Sequence, residues 1–171
     1  MNDPRHIPVA LDRVLSLLQP VLTEESVMVD ATTGLGGHTA AVLRRFPHAR
    51  VIGLDRDPHA VAAARQNLAE FGDRSDVHHA RYDQMGEVLD ELGIERVDAV
   101  LFDFGVSSMQ IDETERGFSY SRSAPLDMRM DPTTGPTAAD ICNTYSQSDL
   151  ARILWEYGEE RFARRIAREI I

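Results

Sequence analysis

Leu11, Val14, Leu15 and Leu18 recur at the spacing of one helical face, and Pro20 closes the run. Val27-Met28-Val29 is short and apolar, reads as a buried strand and ends on Asp30. A glycine-rich turn follows, Thr33-Gly34-Leu35-Gly36-Gly37-His38. Residues 39–46 then predict a helix stopped by Pro47, and Val51-Ile52-Gly53-Leu54 a second strand ending on Asp55. Asp57-Pro58 supplies an N-cap and a proline at the first helical position. The helix it opens buries Val61, Ala64, Leu68 and Phe71. A short strand is predicted over residues 77–80, and Met85, Val88, Leu89 and Leu92 mark a helix capped by Asp83. Residues 97–104 form a continuous apolar strand broken only by Asp98 and Asp103. Strands alternating with helices at this spacing predict a parallel α/β sheet.

The pattern is lost after Gly105. Residues 105–136 are rich in Ser, Asp, Gly and Pro, too long for a plain connection, and are expected to form a lid or substrate-contact element. Helices return with Thr137 as a cap. Ser146-Gln-Ser-Asp149 resembles a capping box ahead of Leu150, Ile153, Leu154 and Tyr157, with Gly158 as the stop. A last amphipathic helix carries Phe162, Ile166 and Ile170. The change of character divides the chain into residues 1–110, a sheet domain, and residues 111–171, a loop with helices.

Charge narrows the picture. The net charge is −10, with most of the acidic excess before residue 113, and all 18 basic residues are arginine. A chain this acidic does not hold nucleic acid by overall charge, so any such role needs a local basic face. The single cysteine, Cys142, excludes an intrachain disulfide and points to a reducing, cytoplasmic compartment. The apolar stretch at 14–22 is too short for a signal peptide or a membrane span and is broken by Pro20.

Glycines after Asp30 allow close approach of a ligand, and Asp55 ends the next strand where a carboxylate can accept ribose hydroxyls. A tight turn without a ligand is the alternative for the glycines alone. A dinucleotide fingerprint would put its third glycine at position 39, which is Thr39. Asp, glycines, then Asp suits a nucleoside with an amino acid tail and no phosphate, S-adenosyl-L-methionine, with Asp30 meeting the methionine amine. Tyr82 reads either as an aromatic stacked on adenine or as a half-buried tyrosine at a strand end. Asp103 and Gln110 bracket the sheet edge where ligands bind in open α/β folds; a structural partner for Asp103 is the alternative. No His, Cys and carboxylate cluster has metal-ligand spacing, so no metal is expected, and His38 shapes the turn.

These motifs together closely resemble one family. They are His6-Ile-Pro-Val9, the Asp30 to His38 turn, Asp55-Arg-Asp-Pro58, Asp103-Phe-Gly-Val-Ser-Ser108, Glu115-Arg-Gly-Phe-Ser119, Pro125-Leu-Asp-Met-Arg-Met-Asp-Pro132 and Tyr157-Gly-Glu-Glu-Arg-Phe-Ala-Arg-Arg-Ile-Ala-Arg168. They stand in the order of the MraW family, the small-subunit ribosomal RNA methyltransferases H. The resemblance implies a class I S-adenosylmethionine-dependent methyltransferase, a Rossmann-like sheet with an inserted, mostly helical substrate-recognition domain. It implies N4-methylation of a cytidine in the decoding region of 16S ribosomal RNA, with the small subunit as partner and no membrane. Cofactor positions carry over to Gly36, Gly37, His38, Asp55, Tyr82, Asp103 and Gln110. Tyr82 stands where relatives often have Phe, and Met109 where they usually have Pro, which loosens the turn that places Gln110.

Asp103 is the candidate catalytic group, as an acceptor favouring the pyramidal cytosine amine; the alternative is that the cofactor occupies it. Arg116, Arg122 and Arg129 are the candidate RNA contacts. The family pattern continues beyond Ile171, so the sheet is expected to be incomplete, in spatial order three, two, one, four. A fifth strand would come from later sequence. The open fourth strand then favours association with another chain, and little or no methyl transfer is expected from this chain alone. A non-catalytic cofactor-binding fragment and a methyltransferase acting on another substrate are the competing readings.

Overall fold

The computed structural model describes residues 8–171, so His6 and Ile7 of the first motif lie outside the described residues. The chain folds as two compact units, Met1–Gly105 and Val106–Ile171.

The first unit opens with helix α1 (Leu11–Leu18) and alternates β1 (Val27–Asp30), α2 (Gly37–Arg45), β2 (Arg50–Asp55), α3 (Pro58–Asn67), β3 (Ser75–His79), α4 (Met85–Glu91) and β4 (Ala99–Leu101). The strands are parallel in the order β3-β2-β1-β4, as expected from sequence. In register, Asp30 meets Gly53 and Leu101, and Asp55 meets His79. All the strands therefore present their carboxyl ends, with the acidic residues, on one edge.

A parallel sheet covered by helices buries both faces. Met28 and Val51 face one way and pack with Leu18, Val42, Leu43 and Phe46 of the α1–α2 layer. Their neighbours Val29, Ile52 and Leu54 face the other and pack with Val88, Met85 and Leu89 of α4. Val61, Ala64 and Leu68 close α3 onto Val77. Asp57 caps α3 as expected, accepting from the His59 amide at 3.0 Å.

Two local expectations fail. Asp83 does not cap α4: residues Tyr82–Gln84 form a 3₁₀ turn, and Asp83 pairs with Arg81 at 2.7 Å instead. The fourth strand is three residues long, where residues 97–104 were expected. Its only neighbour among the described residues, β1, ends at Asp30 and turns away, so the Asp103 amide meets the Thr32 hydroxyl at 2.7 Å instead of a strand carbonyl.

The second unit holds α5 (Ser108–Asp112), a 3₁₀ turn at Thr114–Arg116, α6 (Ala138–Thr144), α7 (Gln147–Glu156) and α8 (Ala163–Ile170). Thr137 and Ser146 cap α6 and α7, accepting from the amides of Asp140 and Asp149. Helix α7 stops just before Gly158, as expected, but the turn that ends it is of another kind. Glu159, not Gly158, takes the left-handed conformation (φ 50°), and the Glu160 amide returns to the Leu154 carbonyl at 3.0 Å. Gly158 serves close packing, since a Cβ there would lie 2.8 Å from that carbonyl oxygen. Helix α8 buries Ala163 and Ala167, while Phe162 and Ile170 stay exposed. No helix among the described residues is long and apolar enough to cross a membrane.

Candidate functional site

The turn after β1 is built by backbone hydrogen bonds to its neighbouring strands. Ala31 donates to Leu101 and Thr33 to Leu54, each at 2.9 Å. Gly34 (φ 54°) and Gly36 (φ 83°) take left-handed conformations that only glycine adopts freely. Gly36 is also the N-cap of α2, and a Cβ there would come within 2.9 Å of Leu68. Gly53 does matching work on β2, where a Cβ would strike the Thr33 hydroxyl at 2.6 Å. Gly53 was not singled out from sequence, although a glycine inside an apolar strand signals a close backbone approach.

Three carboxylates stand at this edge in different environments. Asp55 accepts from the Gly34 amide at 2.8 Å through one oxygen and from the Asp57 amide at 2.9 Å through the other. It thus ties the turn to the end of β2. Burial pushes its carboxyl above the ordinary aspartate range, opposed by those two amides. Asp103 is held by its amide and keeps a half-exposed carboxylate, 3.9 Å from His38 Nδ1. On its far side His38 Nε2 donates to the Val9 carbonyl at 3.1 Å, because a carbonyl only accepts.

Asp30, read from sequence as meeting the cofactor amine, has partners within the protein. It is enclosed, with one oxygen accepting from the Thr39 hydroxyl at 2.7 Å and the other from the Thr32 amide at 3.4 Å. Thr32, in the turn, was not singled out from sequence, and Thr39, on α2, was noted there only for not being a glycine. Burial raises the Asp30 carboxyl above its ordinary value, with the Thr39 hydroxyl opposing. A raised folded pKa means that the group favours folding most when protonated, and that this contribution is lost as pH rises through the folded pKa. The stability of an Asp30→Asn variant relative to the parent should therefore rise with pH across that range. Urea denaturation of both proteins at acidic and neutral pH checks this; a difference independent of pH refutes it.

Tyr82, about half exposed, sits in an aromatic group. Its ring lies 5.9 Å from Phe102 and 5.8 Å from Phe104, edge-on to both, and those two stack at 5.3 Å. Phe104 is 70% exposed.

The remaining sequence candidates belong to the second unit. Gln110 is buried and caps the start of α5: its side chain accepts from the Ser107 amide at 3.0 Å, and its amide donates to the Ser107 hydroxyl at 3.2 Å. The turn therefore holds with Met109 in place of proline. The three arginines are not equivalent. Arg116 is 5% exposed and donates to the carbonyls of Arg129 and Met130 at 3.0 and 2.8 Å, so it organises the loop and is no open phosphate contact. Arg129 grips Asp127 through two nitrogens, at 2.9 and 2.7 Å. Arg122 is exposed.

The model of the MraW methylase family matches residues 3–171. A ribosomal RNA small subunit methyltransferase H of Nocardioides sp. is 64% identical over 172 residues, covering all of this chain and 54% of the relative. The protein of the same name from Parafrankia sp. is 59% identical, covering 99% of this chain and 52% of the relative. A crystal structure described as an rRNA-methylase from Clostridium thermocellum superposes with a TM-score of 0.50 at 26% identity, over 59% of this chain and 54% of that one. The chain spans about half the length of the curated relatives it matches. With a family model covering nearly every residue and a four-stranded parallel sheet in the order read from sequence, the chain belongs to the MraW methylase family.

Proposed function

We propose that this chain carries the S-adenosyl-L-methionine site of an enzyme that methylates the N4 amine of a cytidine in the decoding region of 16S ribosomal RNA. The observation that carries the reading is the glycine turn bound to the carboxylate of Asp55 at the end of β2. The residues fit the cofactor. Each Asp55 oxygen accepts one amide, and its second lone pair can accept a ribose hydroxyl. The exposed Tyr82 ring offers a face to adenine. Gly36, Gly37 and His38 open α2 and line the turn. By family resemblance Gln110 is also a cofactor position. When bound, S-adenosylmethionine supplies an electrophilic methyl group.

A cytosine amine is a weak nucleophile because its lone pair is delocalised into the ring. The protein must place it in line with the methyl group and favour its pyramidal form. The half-exposed Asp103 carboxylate is the acceptor we assign to an amine N–H. The amine proton need not leave before transfer, so no strong base is required. An Asp103→Asn variant that loses turnover at unchanged cofactor affinity supports this role; lost cofactor affinity in calorimetry instead assigns Asp103 to the cofactor. The substrate places the enzyme in the cytoplasm with the small ribosomal subunit. Arg122 is the exposed loop contact for RNA, with Arg116 and Arg129 holding the loop that presents it.

The second reading is a cofactor-binding protein without transfer activity, which the same glycine turn and Asp55 would serve. Methyl transfer to small subunits lacking the modification separates the two. Among the described residues β4 pairs only with β1, and Val100, Phe102 and Phe104 stay exposed beside that free edge. Such an edge recruits another chain, so a dimer or larger assembly is expected in sedimentation. A monomer at every concentration tested refutes the role of the edge.

A further inference from the structure

Helices α7 and α8 pack on one another and leave a groove of about 1110 Å³ that the cofactor site does not explain. Trp155 and Phe162 line it, and they are 61% and 59% exposed. Arg152, Arg161, Arg164 and Arg165 line it too, and none of the lining residues is acidic. Ala163 and Ala167 are the buried residues of α8, while Ile170 and the arginines at 164, 165 and 168 are exposed. The Arg165 guanidinium lies 5.7 Å from the centre of the Phe162 ring, and Arg152 pairs with Glu156 at 3.2 Å. Among the described residues Arg161 and Arg164 make no ion pair.

This is a concentrated basic surface in a chain of net charge −10. Flat apolar rings beside guanidinium groups match one chemistry well. Unpaired bases stack on aromatic side chains while arginines meet the phosphates, and neither contact depends on a particular base. A folded protein covering the same groove would have to bury several arginines, at a large desolvation cost unless each found a carboxylate.

We propose that the α7–α8 groove holds a single-stranded segment of the RNA substrate, with Trp155 as the stacking platform and Arg161 and Arg164 as phosphate contacts. The proposal rests on the RNA-methylating reading above and gives it a binding surface.

Trp155 is the only tryptophan in the sequence, so its fluorescence reports the groove directly. A short cytidine-containing single-stranded RNA should quench it. The same RNA as a duplex, inorganic polyphosphate and polyglutamate should not quench it at comparable concentrations. In anisotropy with labelled RNA, Trp155→Ala should weaken binding roughly fivefold or more, and Trp155→Phe should retain most of it. An Arg161→Gln, Arg164→Gln double variant should reduce the slope of log affinity against log salt by about 1.4. Circular dichroism of each variant verifies that the helices persist.

Unchanged RNA affinity in Trp155→Ala overturns the proposal. Equal quenching by polyphosphate reduces the groove to a charge effect, equal quenching by the duplex removes the stacking role, and equal quenching by polyglutamate makes it a protein-docking surface; each overturns it. Methyl transfer measured on the same samples keeps the two readings apart. Transfer with a groove indifferent to RNA counts against the groove alone, and groove binding without transfer counts against the activity alone.

Discussion

Arg116→Ala should release the loop between α5 and α6 and destabilise the second unit by on the order of 2 kcal/mol, since two part-buried carbonyls lose a charged donor and a fully buried one left so costs about 1–3 kcal/mol. The Arg116 guanidinium holds the carbonyls of Arg129 and Met130, and its own carbonyl accepts from the Met128 amide at 3.0 Å. Gly117 (φ 72°) brings the next turn so close to residues 125–128 that a Cβ would fall 2.3 Å from the Pro125 oxygen. The stretch thus folds around one arginine and then docks onto α6, where Ala138 and Ala139 donate to Asp127 and Leu126 at 2.7 and 2.8 Å. Hydrogen exchange is the measurement: the amides of Met128, Ala138 and Ala139 should lose protection in Arg116→Ala and keep it in Arg122→Ala. Arg116→Lys should fall between, because an ammonium keeps the charge without the fork that spans two carbonyls. Protection unchanged in Arg116→Ala would mean that the loop is held by something else.

Asp55→Ala should cost on the order of 1.5–3 kcal/mol of cofactor binding, the range for hydrogen bonds to a charged group, which is roughly a tenfold to hundredfold loss of affinity. The structure adds a second source of loss. The carboxylate also holds the Gly34 and Asp57 amides, so alanine both removes the ribose acceptor and loosens the turn. A cofactor analogue with a 2′-deoxyribose separates the two effects. The parent should discriminate against it, and the variant should bind cofactor and analogue alike. Calorimetry showing parental affinity in Asp55→Ala would sink the ribose assignment.

Much of the fold was legible because its signals are local. Asp57, Thr137 and Ser146 cap helices with hydrogen bonds that reach two or three residues along the chain, and such bonds form wherever the segment is helical. The alternation of apolar strands and helices likewise implied parallel crossovers, since short hairpins cannot join parallel neighbours. The glycine turn and Asp55 were recognisable for the same reason, each sitting at a predicted strand end.

Sequence by itself therefore determined the sheet, its order, the turn at residues 33–38 and the family. Only the tertiary structure decided what each polar group faces. Asp30 and Asp103 both end apolar runs, yet the first is enclosed by Thr39 and the second opens beside His38, because α2 covers β1 while β4 lies at the sheet edge. Arg116, Arg122 and Arg129 share a residue type and a loop, but carbonyls 13 and 14 residues downstream draw the first inside. On α8 the apolar period pointed to Phe162, Ile166 and Ile170, and packing against α7 buried the alanines between them instead, since small side chains let two helices approach. Burial is set by which distant segment arrives, and no pattern confined to three or four neighbouring residues encodes that arrival.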